Sequence, residues 1–387
     1  MKKERKLRIL FSSNAPWAPS GYAQQMFDIL PLFKEAGFPL GMVAFYGLEG
    51  GFINLDGIKF YPRMGDIWGS DAMVFHQKDF KADIVISFQD TWVLDLNNMK
   101  QVKNWIPMAP IDSDPVPPAV FDRLKLAYRV VTHSKFGHDQ LQKKGMHSTY
   151  IPLLVDTSVY KPLDRTEIRK QLGIPEDMFL FGMVSANKDY PPRKSFQEAM
   201  DAFALFHKAH PNSGMYFHTI LNQQGGFPIR EYAQFLGLEK VIFNIDPYDQ
   251  MYRVTKPGMA KIYNAFDCLL APSTNEGFGV PIIEAQSCGI PVITNNFTSM
   301  PELIEPGKTG FLCEVAYKRF TPLCAYIGVP SVQSIYEQME KVFSADRKAM
   351  GKAGQSRMVK NYDVKTVFNN AWLPFLEKVE KELYKET

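Results

Sequence analysis

What most restricts the fold of this chain is a rhythm of short apolar runs, each followed by a turn-rich or helical stretch. In the N-terminal half the runs are Leu7 to Ser12, Pro39 to Tyr46, Asp83 to Phe88, Trp105 to Pro110, Tyr128 to Thr132 and Ser148 to Pro152. Runs this short and this continuously apolar are the mark of strands covered on both faces, which is the condition of a parallel sheet sandwiched by helices. The opening unit shows the pattern: a strand at Leu7 to Ser12, the loop SSNAPWAPSG, then YAQQMFDILPLFKEAG as a helix stopped at Gly37. The second half repeats it at Phe179 to Val184, Met215 to Leu221, Val241 to Ile245, Cys268 to Ala271 and Pro291 to Thr294. Between the halves, VDTSVYKPL (Val155 to Leu163) has no period and carries a proline, and reads as a linker. The chain has 387 residues, and a single core stops growing near about 250. Two doubly wound α/β domains follow, residues 1–158 and 159–360, with a final segment, 361–387, that ends in a polar helix from about Trp372 to Tyr384. In such sheets ligands sit outside the carboxyl ends of the strands, so the loops after the strands are where chemistry is to be sought.

Composition removes several function classes. Hydrophobic residues make up 45% and charged residues 22%, enough to bury a sizeable core, which excludes a disordered or fibrous chain. Basic and acidic residues number 44 and 41, and are as evenly matched within each half, so neither half is a nucleic-acid binder working by net charge. Cys268, Cys288, Cys313 and Cys324 form no Cys-x-x-Cys pair and have no metal-spaced histidines nearby, so they read as reduced, mostly buried thiols in a cytoplasmic protein. The start, MKKERKLRILFSSN, is charged, but its apolar run is far shorter than a signal segment, and no run of about 20 apolar residues offers a membrane span.

The segment from Asp267, DCLLAPSTNEGFGVPIIEAQSCGIPVIT, carries the chemistry. A strand leads into a turn-rich loop, a helix opens at Pro281, Gly289 stops it, and another strand follows. Gly277, Phe278, Gly279 and Val280 then present amide groups at a helix N-terminus, an end that attracts phosphate. Glu276 stands just before that end, and Glu284, eight residues on, is expected on the first turn. Two acceptor-only carboxylates beside an anion site suit a ligand with hydroxyls near a phosphate.

A Glu-seven-residues-Glu motif enclosing Gly-Phe-Gly, after an apolar strand and Pro-Ser, resembles the nucleotide-sugar site of retaining GT-B glycosyltransferases, the family 4-like or "glycosyl transferases group 1" type. PLLVDTSVYKPL, RKQLGIPEDMFLFGMV, the pair Arg193-Lys194 and MPELIEPGKTGFL occur in the family's order, so the likeness runs from about Leu7 to Leu312 and is strongest from Val155 onward. It implies a GT-B fold of two Rossmann-like domains with an interdomain cleft, the first on the acceptor side, the second holding the nucleotide sugar, and the last helix crossing back to the first. It implies that Glu276 contacts sugar hydroxyls, that Glu284 holds the ribose, and that the Phe278 to Val280 amides meet donor sugar or diphosphate. Arg193 and Lys194 match the basic pair that grips the diphosphate and neutralises charge on the leaving group. Asn187 lies in the same loop and is assigned to shaping that pocket. Gly21, after Pro19-Ser20, matches the family's glycine-rich loop over the diphosphate. Asp112 stands where many relatives carry a histidine toward the donor sugar; a carboxylate there accepts the same hydroxyl and favours positive charge at the anomeric carbon.

The activity implied is transfer of a hexose-like sugar, with retention, from a nucleoside diphosphate to an acceptor hydroxyl, with no metal and no cofactor beyond the donor. Glu276, Asp112, Arg193 and Lys194 are the candidate catalytic residues. An epimerase or phosphorylase of the same fold, or a silent sugar-nucleotide sensor, are the alternatives. The acceptor is left open among a glycan, a lipid-linked sugar, a protein, a small molecule and modified DNA. Asp112-Ser-Asp114 also spells the Asp-x-Asp by which the GT-A fold holds a divalent metal, but the prolines just behind it suit a turn, and Arg193-Lys194 already supplies a cationic grip. His133, His138 and His147 cluster with Lys135, Lys143 and Lys144, either as a solvated helix face or as a weak peripheral contact for a membrane or anionic acceptor. Of Trp17, Trp68, Trp92 and Trp105, at least half are expected in the core, the rest being available to stack on sugar rings. Phe196, Ala199, Phe203 and Phe206 recur at helical spacing and are expected in the core.

Overall fold

The computed structural model describes residues 6–385; the charged residues 1–5 at the start lie outside them. The chain divides into two units, one made of Met1–Leu154, Pro322–Ala325 and Val364–Thr387, the other of Val155–Thr321 and Tyr326–Asp363.

The first unit is built on eight strands: β1 (Ile9–Asn14), β2 (Leu40–Tyr46), β3 (Ile53–Leu55), β4 (Ile58–Tyr61), β5 (Ile84–Phe88), β6 (Trp105–Ala109), β7 (Val131–Thr132) and β8 (Thr149–Tyr150). They lie in the order β3-β4-β2-β1-β5-β6-β7-β8, all parallel except β3, which pairs antiparallel with β4. β1 and β5 are buried along their length, as their apolar composition requires. The helix Gly21–Glu35 returns the chain from β1 to β2 and buries Met26, Ile29, Leu30 and Phe33. The final helix, Leu373–Lys385, belongs to this unit. Just ahead of it Phe368 and Trp372 meet the Phe33 ring at 5.2 and 5.4 Å. Glu382 accepts from Tyr128 Oη at 3.0 Å and Arg129 at 2.8 Å, and Tyr384 donates to Asp83 at 3.0 Å.

The second unit holds β9 (Phe179–Val184), β10 (Ser213–His218), β11 (Ile242–Asn244), β12 (Cys268–Ala271), β13 (Val292–Asn295) and β14 (Gly310–Cys313) in a parallel sheet ordered β11-β10-β9-β12-β13-β14. This is the 3-2-1-4-5-6 order of a Rossmann sheet, with its reversal between the first and fourth strands. Phe196, Ala199, Phe203 and Phe206, on the helix Phe196–Ala209, are fully buried against it. An antiparallel hairpin, β15 (Val315–Phe320) and β16 (Tyr326–Pro330), follows β14. A buried ion cluster locks the start of the unit: Asp267 accepts two bonds from Arg165, one from Arg169 and one from the Leu180 amide, at 2.7–2.8 Å. Arg169, fully buried, spends its remaining donors on the carbonyls of Ala265, Pro175, Glu176 and Met178.

Two sequence expectations are corrected here. Only Trp105 of the four N-terminal tryptophans is in the core; Trp17, Trp68 and Trp92 are each about two-fifths exposed, at 44%, 40% and 43%. They stand in the segments after β1, β4 and β5, where Trp17 and Trp68 rest edge-on against Phe60 and Phe45 with part of each ring left exposed. His133 is not part of a surface patch: it is buried, its Nε2 is 3.2 Å from the Met108 carbonyl, and burial holds its pKa down at about 4. Lys135, Lys143, Lys144 and His147 are exposed. Among the described residues no helix is long and apolar enough to cross a membrane.

Candidate functional site

In the second unit the strand order reverses between β9 and β12, so the loops leaving these two strands part in opposite directions and open a crevice at their carboxyl ends. The loop after β9 carries Arg193 and Lys194 and ends at Ser195, a buried residue in the left-handed region (φ 53°) that leads into the helix Phe196–Ala209. The loop after β12 carries Ser273 through Gly279. A backbone bond joins the two, Thr274 N donating to Arg193 O at 2.8 Å. The crevice between them is lined by Val184, Ser185, Lys194, Ser273, Glu276 and Gly279, among others.

Glu276 is the hub. Its Oε2 accepts from Arg193 Nη1 at 3.1 Å, its Oε1 from Ser273 Oγ at 2.7 Å, and Lys194 Nζ bonds to the same Oε1. Burial works to raise the Glu276 pKa, but the attraction of Lys194 and Arg193 and the bonds from Lys194 and Ser273 outweigh it and hold the carboxyl at about 2. Lys194 is drawn below its usual 10.5 by burial and by the Arg193 guanidinium, against the pull of Glu276. The cluster therefore sets two cations against the Glu276 carboxylate, with Asp189 also acting on Lys194.

The strand after the helix fixes the loop from behind. Asn295, ending β13, donates to Ser273 O at 3.0 Å. Thr298 Oγ1 accepts from the Glu276 amide at 3.2 Å, and Ser299 Oγ lies 2.8 and 2.9 Å from the carbonyls of Glu276 and Phe278. Thr298 makes this contact from φ 51°, a conformation that β-branched residues avoid and that the surrounding contacts must impose. Phe278 is buried edge-on to Tyr362 at 6.0 Å, so its side chain anchors the loop. Gly279 caps the helix Val280–Ser287 at φ 116°, where a Cβ would stand 2.9 Å from Ile282 Cδ1. With Pro281 inside the first turn, the amides of Gly277 to Val280 precede the intrahelical ladder, as an anion site requires. Glu284 is the fifth residue of this helix, one residue further in than a start at Pro281 would place it, because the helix begins at Val280. It is buried, and its Oε2 accepts from Tyr263 Oη at 2.6 Å.

Asn187 plays a different part. Its Nδ2 donates to Phe227 O at 2.8 Å and to the carbonyls of Ile220 and Leu221 at 3.3 Å, while its Oδ1 accepts from the Phe227 amide at 2.7 Å. The side chain is spent on tying the loop after β9 to residues 220–227, and a Cβ on Gly226 would collide with it at 2.5 Å. Gly21 and Asp112 lie in the first unit. Gly21 opens the helix Gly21–Glu35 with open space beside its Cα, behind Ser20, whose hydroxyl caps the Ala23 amide. Asp112 follows β6, half-buried, and accepts from Ser113 Oγ at 3.0 Å. Ser273, Thr298, Ser299 and Tyr263 were not singled out by the sequence: the first sits inside the motif loop as an ordinary turn residue, and the others come from segments remote in the chain.

Residues 164–319 match the family model of glycosyl transferases group 1. These residues lie in the second unit, which is thus similar to the group 1 glycosyltransferases. The chain is 28% identical over 192 residues to the N-acetyl-alpha-D-glucosaminyl L-malate synthase of Bacillus anthracis, a match covering 48% of this chain and 45% of that protein. It is 29% identical over 171 residues to the D-inositol 3-phosphate glycosyltransferase of Arthrobacter sp. (strain FB24), covering 43% of this chain and 38% of the relative. The chain thus spans less than half the length of the curated relatives it matches. Solved structures extend the likeness beyond the residues matched by the family model. Sucrose-phosphate synthase from Thermosynechococcus elongatus superposes with a TM-score of 0.75 at 14% identity, over 99% of this chain and 100% of that one. HepE from Anabaena, solved in complex with UDP-glucose, does so at 0.70 and 18%, over 94% and 98%. At these identities the likeness is one of fold, two Rossmann-like domains of the GT-B class, and the GT-A reading of Asp112-Ser-Asp114 falls with it.

Proposed function

We propose that this protein is a retaining, metal-independent glycosyltransferase that moves a hexose-like sugar from a nucleoside diphosphate to an acceptor hydroxyl. The observation that carries the reading is the meeting of Arg193, Lys194 and Glu276 at the switch point of the second sheet, beside the N-terminus of the helix Val280–Ser287. Two fixed cations and a row of amides favour a diphosphate, and they favour it more as the bond from the anomeric carbon to the diphosphate oxygen breaks and negative charge collects there. As the acceptor oxygen bonds to that carbon on the same face, its proton passes to the departing phosphate oxygen, so the chain's own residues position and stabilise without forming a covalent intermediate. Glu276, ionised at any physiological pH, is assigned the role of accepting from sugar hydroxyls. Asp112 is assigned the donor sugar and Gly21 the diphosphate, both from the first unit. The cation pair supplies the charge a metal would otherwise bring.

The test is release of nucleoside diphosphate from UDP-, GDP- and ADP-linked hexoses in the presence of an acceptor panel, with the anomeric configuration of the product read by NMR. Glu276→Ala, Arg193→Ala and Lys194→Ala are each expected to cost about 2 to 4 kcal/mol of transition-state stabilisation. EDTA should leave turnover unchanged. Near-normal turnover in all three variants, or strict dependence on added manganese, would reject the assignment.

A further inference from the structure

Glu284 differs from Glu276 in how its charge is kept. Glu276 is matched by two cations, whereas the contact at Glu284 Oε2 is a phenol, Tyr263 Oη at 2.6 Å. A phenol donates one hydrogen bond and so fixes one acceptor site of the carboxylate. We propose that Tyr263 is the positioning residue of Glu284, fixing that carboxylate in the one rotamer from which it can take the ribose hydroxyls of the donor. The inference rests on the nucleotide-sugar reading above and names a further part of the same site.

The surroundings of the pair support a fixed geometry. Tyr263 is fully buried on the helix Lys256–Asn264, with its ring 6.1 Å from those of Tyr160 and Phe266. Asn264, the next residue, donates to Lys161 O at 3.0 Å and accepts from the Leu163 amide at 2.8 Å. On the helix that carries Glu284, Ser287 Oγ donates to Tyr160 O at 2.7 Å. Both helices are thus pinned to one stretch of chain, 160–163, which sets the phenol and the carboxylate at bonding distance. Burial and the neighbouring carboxylate push the Tyr263 pKa well above 10, so the proton stays on the phenol and the bond keeps its direction. A phenylalanine would fill the same space, so packing alone gives no reason for the hydroxyl.

Calorimetric titration of wild type and Tyr263→Phe with UDP, GDP and ADP, each beside its 2′,3′-dideoxy counterpart, separates positioning from packing. Wild type should prefer the ribonucleotide by about 10- to 100-fold, since the dideoxy analogue has no hydroxyls to donate to the carboxylate. Tyr263→Phe should lower that ratio by about 5-fold or more while binding of the dideoxy analogue stays as in wild type. A ratio equal to wild type, both affinities falling together, would overturn the inference and leave the nucleotide-sugar reading standing. Wild type binding none of the three diphosphates would overturn both. Glu284→Gln and the double variant Tyr263→Phe/Glu284→Gln, which buries no carboxylate at this position, form the second arm and serve even if Tyr263→Phe alone does not fold. Equal ratios in these two show that the phenol acts through Glu284, and a further drop in the double variant would refute it.

Discussion

Glu276→Gln should tighten binding of the nucleoside diphosphate while it slows turnover, two effects of opposite sign from one atom exchange. In the wild-type cluster Arg193 and Lys194 both bond to the Glu276 carboxylate, so that charge offsets part of theirs. Glutamine keeps the size and removes one negative charge. A phosphate seated on the far side of Lys194 lies two charge-assisted bonds from that carboxylate, about 5 to 6 Å. At an effective dielectric of about 20, one unit of repulsion over that distance is about 3 kcal/mol. Solvent at the open side of the crevice and the loss of the carboxylate's hold on the two cations reduce this to about 1 to 2 kcal/mol, or roughly 5- to 30-fold in Kd. Turnover should fall by about a hundredfold or more, since the carboxylate that meets the donor sugar is gone. Calorimetry with UDP, GDP and ADP gives the first quantity and steady-state kinetics the second. Unchanged or weaker diphosphate binding in Glu276→Gln would refute the charge argument, whatever happened to kcat.

Other consequences concern the scaffold. Asp267→Asn leaves the buried Arg169 guanidinium without its counter-charge and should destabilise the protein by about 3 to 5 kcal/mol in urea unfolding; a midpoint unchanged from wild type would contradict the role given to that cluster. His133 and His218 are both buried and held neutral, their pKa pushed down to about 4 by burial. The unfolded chain takes up these protons near pH 6.5 and the folded one near 4, so stability is full above 6.5 and declines as pH drops between the two values, by on the order of 3 kcal/mol per group. Urea midpoints at pH 7 and 4.5 should therefore differ less in His218→Phe than in wild type. Gly279→Ala forces a side chain into φ 116° against Ile282 and should cost about 1 to 3 kcal/mol while weakening diphosphate binding, a loss that thermal shift with and without nucleotide will register.

Most strands of the two sheets were legible in the sequence as continuous apolar runs. The hairpin strand β3, with all three residues exposed, and β15, with none buried, carry no such signal, while β4, β14 and β16 are short runs broken by Lys59 or edged by Gly310 and Pro330 and were not read as strands. At the site, the motif spacing indicated that Glu276 and the helix N-terminus are adjacent, and the family resemblance placed Arg193 and Lys194 beside them. The contacts that hold them were hidden: Ser299 and Thr298 reach the Glu276 loop from beyond β13, and Tyr263 reaches Glu284 from the preceding helix, through pairings that only the packed fold makes. The misread residues are instructive for the same reason. His133 next to lysines looks like surface, and a tryptophan looks like core, until the neighbours from other strands are counted.

The membership of Val364–Thr387 in the first unit means that this unit is not one continuous stretch of chain. A ribosome delivers residues 6–154 before residue 364, yet the ring cluster around Phe33 lacks Phe368 and Trp372 until the segment ahead of the helix Leu373–Lys385 emerges. The second unit, whose segments all precede residue 364, is available to mature earlier. An N-terminal fragment expressed without the closing helix would lack part of its own interior, and a functional dissection of this chain has to carry both ends together.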